Sequence, residues 1–131
     1  MPNGLAEDLW KDVREAHIQG DVAKSLELLL SMDESKMTPS ELSLKDFALG
    51  LLHFQNQQYD KAKQWFQHHV KKKGTLRGYA QYYLGEIMLK RQQWEAAKNR
   101  FNAAISERVP RNYIYKSRFY LGQISFQQKH Y

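Results

Sequence analysis

YLGEIMLKRQQWEAAKNRFNAA (83–104) decides the fold, because FALGLLHFQNQQYDKAKQWFQ (47–67) and YLGQISFQQKHY (120–131) repeat its plan. A Leu-Gly pair recurs at Leu49-Gly50, Leu84-Gly85 and Leu121-Gly122, with the glycines 35 and then 37 residues apart. Nine residues after each glycine stands an aromatic: Tyr59, Trp94 and Tyr131. In the two longer stretches an alanine follows three residues later, Ala62 and Ala97, and a phenylalanine four beyond that, Phe66 and Phe101. Self-similarity at a period of this size marks a repeat architecture.

The spacing is helical. Prolines stand only at 2, 39 and 110, helix formers fill the windows between them, and no stretch sustains an alternation of period two. Two antiparallel helices in contact need small residues where their axes come close, a role that suits Gly50 against Ala62 and Gly85 against Ala97. They need large side chains where the gap widens, as Tyr59, Phe66, Trp94 and Phe101 provide. One such hairpin cannot bury both its faces alone, so it stacks on a neighbour. Gly74 and Pro110 read as stops for the second helices.

These residues resemble the tetratricopeptide repeat (TPR) family, whose unit of about 34 residues carries a Leu-Gly, Ala-x3-Phe and terminal Pro pattern. The third unit matches through Leu84, Gly85, Met88, Trp94, Ala97, Phe101, Ala104 and Pro110. The second matches through Leu49, Gly50, His53, Tyr59, Ala62 and Phe66, with His69 in place of its last alanine. AQYYLGEIML and SRFYLGQISF are also similar to repeats of bacterial envelope-assembly proteins. The resemblance implies an all-α, right-handed α-solenoid of antiparallel hairpins with about seven helices. It divides 1–131 into a divergent first hairpin (5–36), a second (39–74), a third (76–110) and the first helix of an incomplete fourth (111–131). The first hairpin turns at Gly20-Asp21, and a longer link, DESKMTPSELS, precedes the helix near Pro39. Because 111–131 reads as a first helix without its second, the expectation is a piece of a longer array; a chain that closes on one solvating helix is the alternative.

Composition narrows the chemistry. No cysteine is present, which removes disulfides, thiolate metal sites and cysteine nucleophiles. The five histidines, His17, His53, His68, His69 and His130, show no spacing that converges on a metal; adjacent His68 and His69 point to different sides of a helix. No phosphate-binding glycine loop or nucleophile–base series occurs, so the expectation is a non-catalytic protein with no metal, cofactor or small-molecule substrate. The longest near-apolar run, LELLLSM (26–32), is far short of a membrane span. The N-terminus lacks the basic start and apolar core of a signal peptide, and the compartment stays open. Lys and Arg outnumber Asp and Glu 20 to 14, giving +6 and a pI near 9.5.

Two binding surfaces follow. The resemblance implies an inner, concave face built from first helices, at fixed offsets around each glycine. Those offsets give Leu44, Phe47, Leu51, Phe54 and Gln55; Tyr79, Tyr82, Glu86, Leu89 and Lys90; and Lys116, Phe119, Gln123, Phe126 and Gln127. The lysine and asparagine with which some family members clamp a carboxylate tail are replaced by Phe47, Tyr82 and Phe119 and by Leu51, Glu86 and Gln123. An aromatic groove suits an apolar helix or extended peptide of another protein, so a scaffold or adaptor is the leading expectation. Self-association through the last helix is a further one. The alternative is a basic edge for nucleic acid or an anionic surface, formed by Lys71, Lys72, Lys73, Arg77, Arg108 and Arg111.

Overall fold

The structure, a computed structural model, describes residues 3–129. His130 and Tyr131, with which the third Leu-Gly series ends, lie outside the described residues. The chain is all-α: α1 (Asn3–Ile18), α2 (Val22–Leu30), α3 (Pro39–Gln55), α4 (Tyr59–Lys71), α5 (Arg77–Lys90), α6 (Trp94–Ser106) and α7 (Arg111–Lys129). A short 3-10 turn at Glu34–Lys36 interrupts the link between α2 and α3. No strand occurs among the described residues.

Local signals set the helix ends. Asp21 caps α2 by accepting the Lys24 N–H at 3.0 Å, and Thr38 caps α3 by accepting the Glu41 N–H at 3.2 Å, with Pro39 in the first turn. At the other ends, α1, α3, α4 and α5 stop in one way. A left-handed residue follows the helix (Gly20, Gln57, Lys73 and Gln92, φ 79°, 61°, 55° and 58°), and the next N–H reaches back five residues. The stop expected at Gly74 therefore belongs to Lys73. Gly74 is needed for room instead: a β-carbon there would collide with the His69 ring and the Ser43 hydroxyl.

Each helix packs chiefly on its neighbours in chain order, and α5 also reaches α7. The core accordingly forms three clusters in succession. Val13, Leu29, Met32, Leu49 and Leu52 centre the first; Ala62, Phe66, Ala80, Leu84 and Ile87 the second; Tyr82, Met88, Ala97, Phe101, Ala104 and Ile124 the third.

The Leu-Gly motif has a specific task. The nearest atoms to a β-carbon built on Gly50 belong to the Phe66 ring, at 2.7 Å, and those for Gly85 belong to Phe101, also at 2.7 Å. The phenylalanine, four residues past the alanine expected there, is what presses on the glycine. Each ring then stacks outward on a tyrosine of the next hairpin: Phe66 on Tyr83 (5.5 Å between centroids, 10° between planes) and Phe101 on Tyr120 (5.2 Å, 27°). A third aromatic, three residues before the glycine, closes each set. Phe47 lies 5.7 Å from Phe66 and 6.3 Å from Tyr83; Tyr82 lies 5.8 Å from Phe101 and 6.4 Å from Tyr120. Phe66 and Phe101 are wholly buried, worth about 1.5–3 kcal/mol each. Polar contacts repeat in the same register: Arg91 pairs with Asp60 at 2.5 Å, and Gln128 donates to Glu95 at 3.5 Å.

His69, where the resemblance places an alanine, is fully buried and joins three segments. Its Nδ1–H donates to the Ser43 carbonyl at 2.9 Å while Nε2 accepts the Leu76 N–H at 3.2 Å. That pairing requires the neutral ring. Burial holds the imidazole below its ordinary 6.5, against the opposing pull of the Ser43 carbonyl and Asp46.

The packing sets the outcome of three substitutions. Gly85→Ala forces a methyl against the fully buried Phe101 ring, and its overpacking outweighs the gain in helix propensity, for a net loss of about 1–2 kcal/mol. At Gly122, in α7, a methyl group would meet nothing within 4 Å, so Gly122→Ala raises stability by about 0.5–1 kcal/mol; urea melts check both signs. For His69, folding favours the neutral form, so its contribution is complete above pH 6.5 and falls as the unfolded chain takes up a proton below that pH. His69→Gln should be less stable at pH 7.5 but lose less than the parent protein between pH 7.5 and 5.5.

Candidate protein-binding site

The expected groove residues divide into two groups. Phe47, Leu51 and Phe54 are half-buried against the second cluster. Tyr79 packs edge-on against Tyr113 at 4.9 Å. Tyr82, placed by its offset on an open face, is only 3% exposed. The reason is Tyr113 and Tyr120 of α7, which close over its ring at 5.1 and 6.4 Å. Glu86 is half-buried and accepts hydrogen bonds from the hydroxyls of Tyr82 and Tyr120, tying α5 to α7. Burial, reinforced by Glu86, pushes the Tyr82 hydroxyl far above the usual tyrosine range. These positions form a seam between hairpins.

The same offsets in α7 behave differently. Phe119 and Phe126 are 63% and 60% exposed, and Gln123 is exposed. Lys116 is exposed too, its ammonium 5.6 Å from the Tyr113 ring. Phe119, Gly122 and Phe126 share one face of α7 by their spacing of three and four. That face, with Leu89 and Trp94, lines a cleft of about 690 Å³ between α5, the α5–α6 turn and α7. The charged residues lining it are Lys90 and Arg118, both cationic. Offsets pointed to Leu89, Lys90, Phe119, Gln123, Phe126 and Gln127, but not to Trp94, Arg118 or Gly122. Trp94 reads in sequence as a packing residue, and Gly122 as part of the motif rather than a floor.

The basic edge is also split. Lys71, Lys73, Arg108 and Arg111 are exposed, whereas Lys72 pairs with Asp46 at 3.4 Å and Arg77 with Glu107 at 3.0 Å. Lys73, Arg77 and Arg108 line one cleft of about 450 Å³, and Glu107 stands among them. Among the described residues, no three His, Asp or Glu side chains gather as a metal site would, and no helix is long and apolar enough to cross a membrane.

The seam gives a direct test of Glu86. Glu86→Ala strands the buried Tyr82 hydroxyl and should cost about 1–3 kcal/mol, whereas Glu86→Gln keeps an acceptor and should cost less than half as much in the same denaturation assay. Comparison with protein-family models, curated proteins and solved structures returns no match to this chain.

Proposed function

We propose that the chain is a non-catalytic scaffold, a right-handed solenoid of TPR-like hairpins that binds an apolar helix or peptide of another protein. The resemblance in sequence and the repeated Gly–Phe–Tyr packing support the architecture. The observation that carries the binding role is the α5–α7 cleft, where Phe119 and Phe126 stand about two-thirds exposed on a face shared with Gly122. Exposed aromatics in contiguous patches of this kind mark interaction sites. The binding surface is thus the open end of the aromatic series, and the groove narrows to Phe119, Gln123 and Phe126 with Leu89 and Trp94 beside them. Phe47, Tyr79, Tyr82 and Glu86 hold the scaffold together.

Binding should tolerate salt, because the contact is chiefly apolar. A basic edge engaging nucleic acid or an anionic surface should lose affinity steeply between 50 and 200 mM salt, about 10³-fold or more where six or more phosphates are contacted. The test uses the purified chain as bait at two salt concentrations beside a Phe119→Ala/Phe126→Ala variant. A protein kept at high salt and lost by the variant, with an unchanged melting temperature, is the expected outcome. Retention by the variant contradicts the cleft, and release of nucleic acid by salt from both proteins favours the basic edge. Tyr82→Ala serves as the contrast: it should lower stability by about 3–5 kcal/mol, as aromatic truncation in a core does.

A further inference from the structure

His69 stands where the next hairpin has Ala104, each three residues past the phenylalanine that rests on a glycine, and both are fully buried. An imidazole here gives the α4–α5 turn a polar joint that an alanine cannot supply. Its two nitrogens serve different segments. Nδ1–H donates to the Ser43 carbonyl of α3 at 2.9 Å, and Nε2 accepts the Leu76 N–H of the turn at 3.2 Å. A proton added to the ring therefore lands on Nε2. The bond to α3 keeps its donor and gains charge, whereas Nε2–H then faces another donor, the Leu76 N–H. The turn is also tightly fitted and strained. A β-carbon on Gly74 would collide with the His69 ring, and Lys73 takes a left-handed φ of 55° without being glycine.

We propose that His69 is an acid-operated latch: protonation at Nε2 lets go of the turn at Leu76 and frees a hinge between the α3–α4 and α5–α6 hairpins, while each hairpin stays closed. This device is independent of the binding role proposed above. Burial opposes the charged ring most, and His68 and Lys72 add to that opposition against the Ser43 carbonyl and Asp46. Asp46 cannot serve the new charge alone, because its Oδ2 already lies 3.0 Å from His68 Nδ1 and 3.4 Å from Lys72 Nζ. Protonated, His68 strengthens that pairing and holds α3 to α4. The flanking cations of α3 and α5, Lys45 and Arg77, are committed to Glu34 and Glu107 at 3.2 and 3.0 Å. Tyr79 of α5 packs on Phe47, whose ring lies 5.7 Å from the imidazole. Opening returns the ring to water, so it takes up the proton and becomes easier as pH falls below the ordinary 6.5.

The test is amide hydrogen exchange of the isotope-labelled full chain at pH 7.5 and 5.5, corrected for the intrinsic rate and repeated in low urea. At pH 7.5 the nitrogen spectrum of His69 should place the ring proton on Nδ1. Protection of the Leu76 amide should fall about five- to tenfold at pH 5.5. It should there stand about tenfold or more below that of Phe66 and Phe101 and depend far less on urea, which marks a local opening rather than global unfolding. His68→Gln should keep this response and His69→Gln should lose it. A ring proton on Nε2, unchanged protection of Leu76, or a Leu76 amide that follows Phe66 and Phe101 in rate and urea dependence overturns the latch. So does loss of the response in His68→Gln, which makes the exposed histidine the sensor, or its persistence in a folded His69→Gln. The readings on the parent chain decide the matter if His69→Gln does not fold.

Discussion

A phenylalanine ring pressed against a glycine backbone is the contact on which the rest of the structure depends. Phe66 can lie on Gly50, and Phe101 on Gly85, only because no β-carbon stands between ring and helix. That approach brings α3 onto α4 and α5 onto α6. It also leaves the outer face of each ring free for a tyrosine of the following hairpin. One side chain thus closes its own hairpin and fixes the next. Tyr83, packed against both the second and the third cluster, joins the two.

The same contact explains which aromatics are buried. The position three residues before each glycine lies beside the phenylalanine and beneath the next hairpin's tyrosine. Phe47 and Tyr82 are covered there, and Phe119 is open because no further helix lies over it among the described residues. The buried seam and the open α7 face are therefore one feature of the repeated packing, distinguished by whether a neighbour is present.

Helix content was legible in the sequence, because helix formers fill the windows between three prolines and Leu-Gly, Ala and Phe recur at helical distances. The helix stops were less so: Gln57, Lys73 and Gln92 take the left-handed conformation without being glycine, and Gly74 is the more obvious stop beside Lys73. Offsets around the glycine named residues of the first helices, but burial at those positions depends on the tyrosines of the next unit. Tyr82 and Phe119 have equivalent sequence positions and opposite exposures, 3% and 63%. His69 could not be read as a structural ring, since its partners, the Ser43 carbonyl and the Leu76 N–H, are backbone groups from other segments.

The most direct measurement is a nuclear Overhauser spectrum of the isotope-labelled chain, read at the α-protons of Gly50 and Gly85 and the rings of Phe66 and Phe101. The account predicts cross-peaks from each glycine to its phenylalanine, and from the same ring to Tyr83 or Tyr120. A folded protein in which either glycine shows no contact with its ring would contradict it.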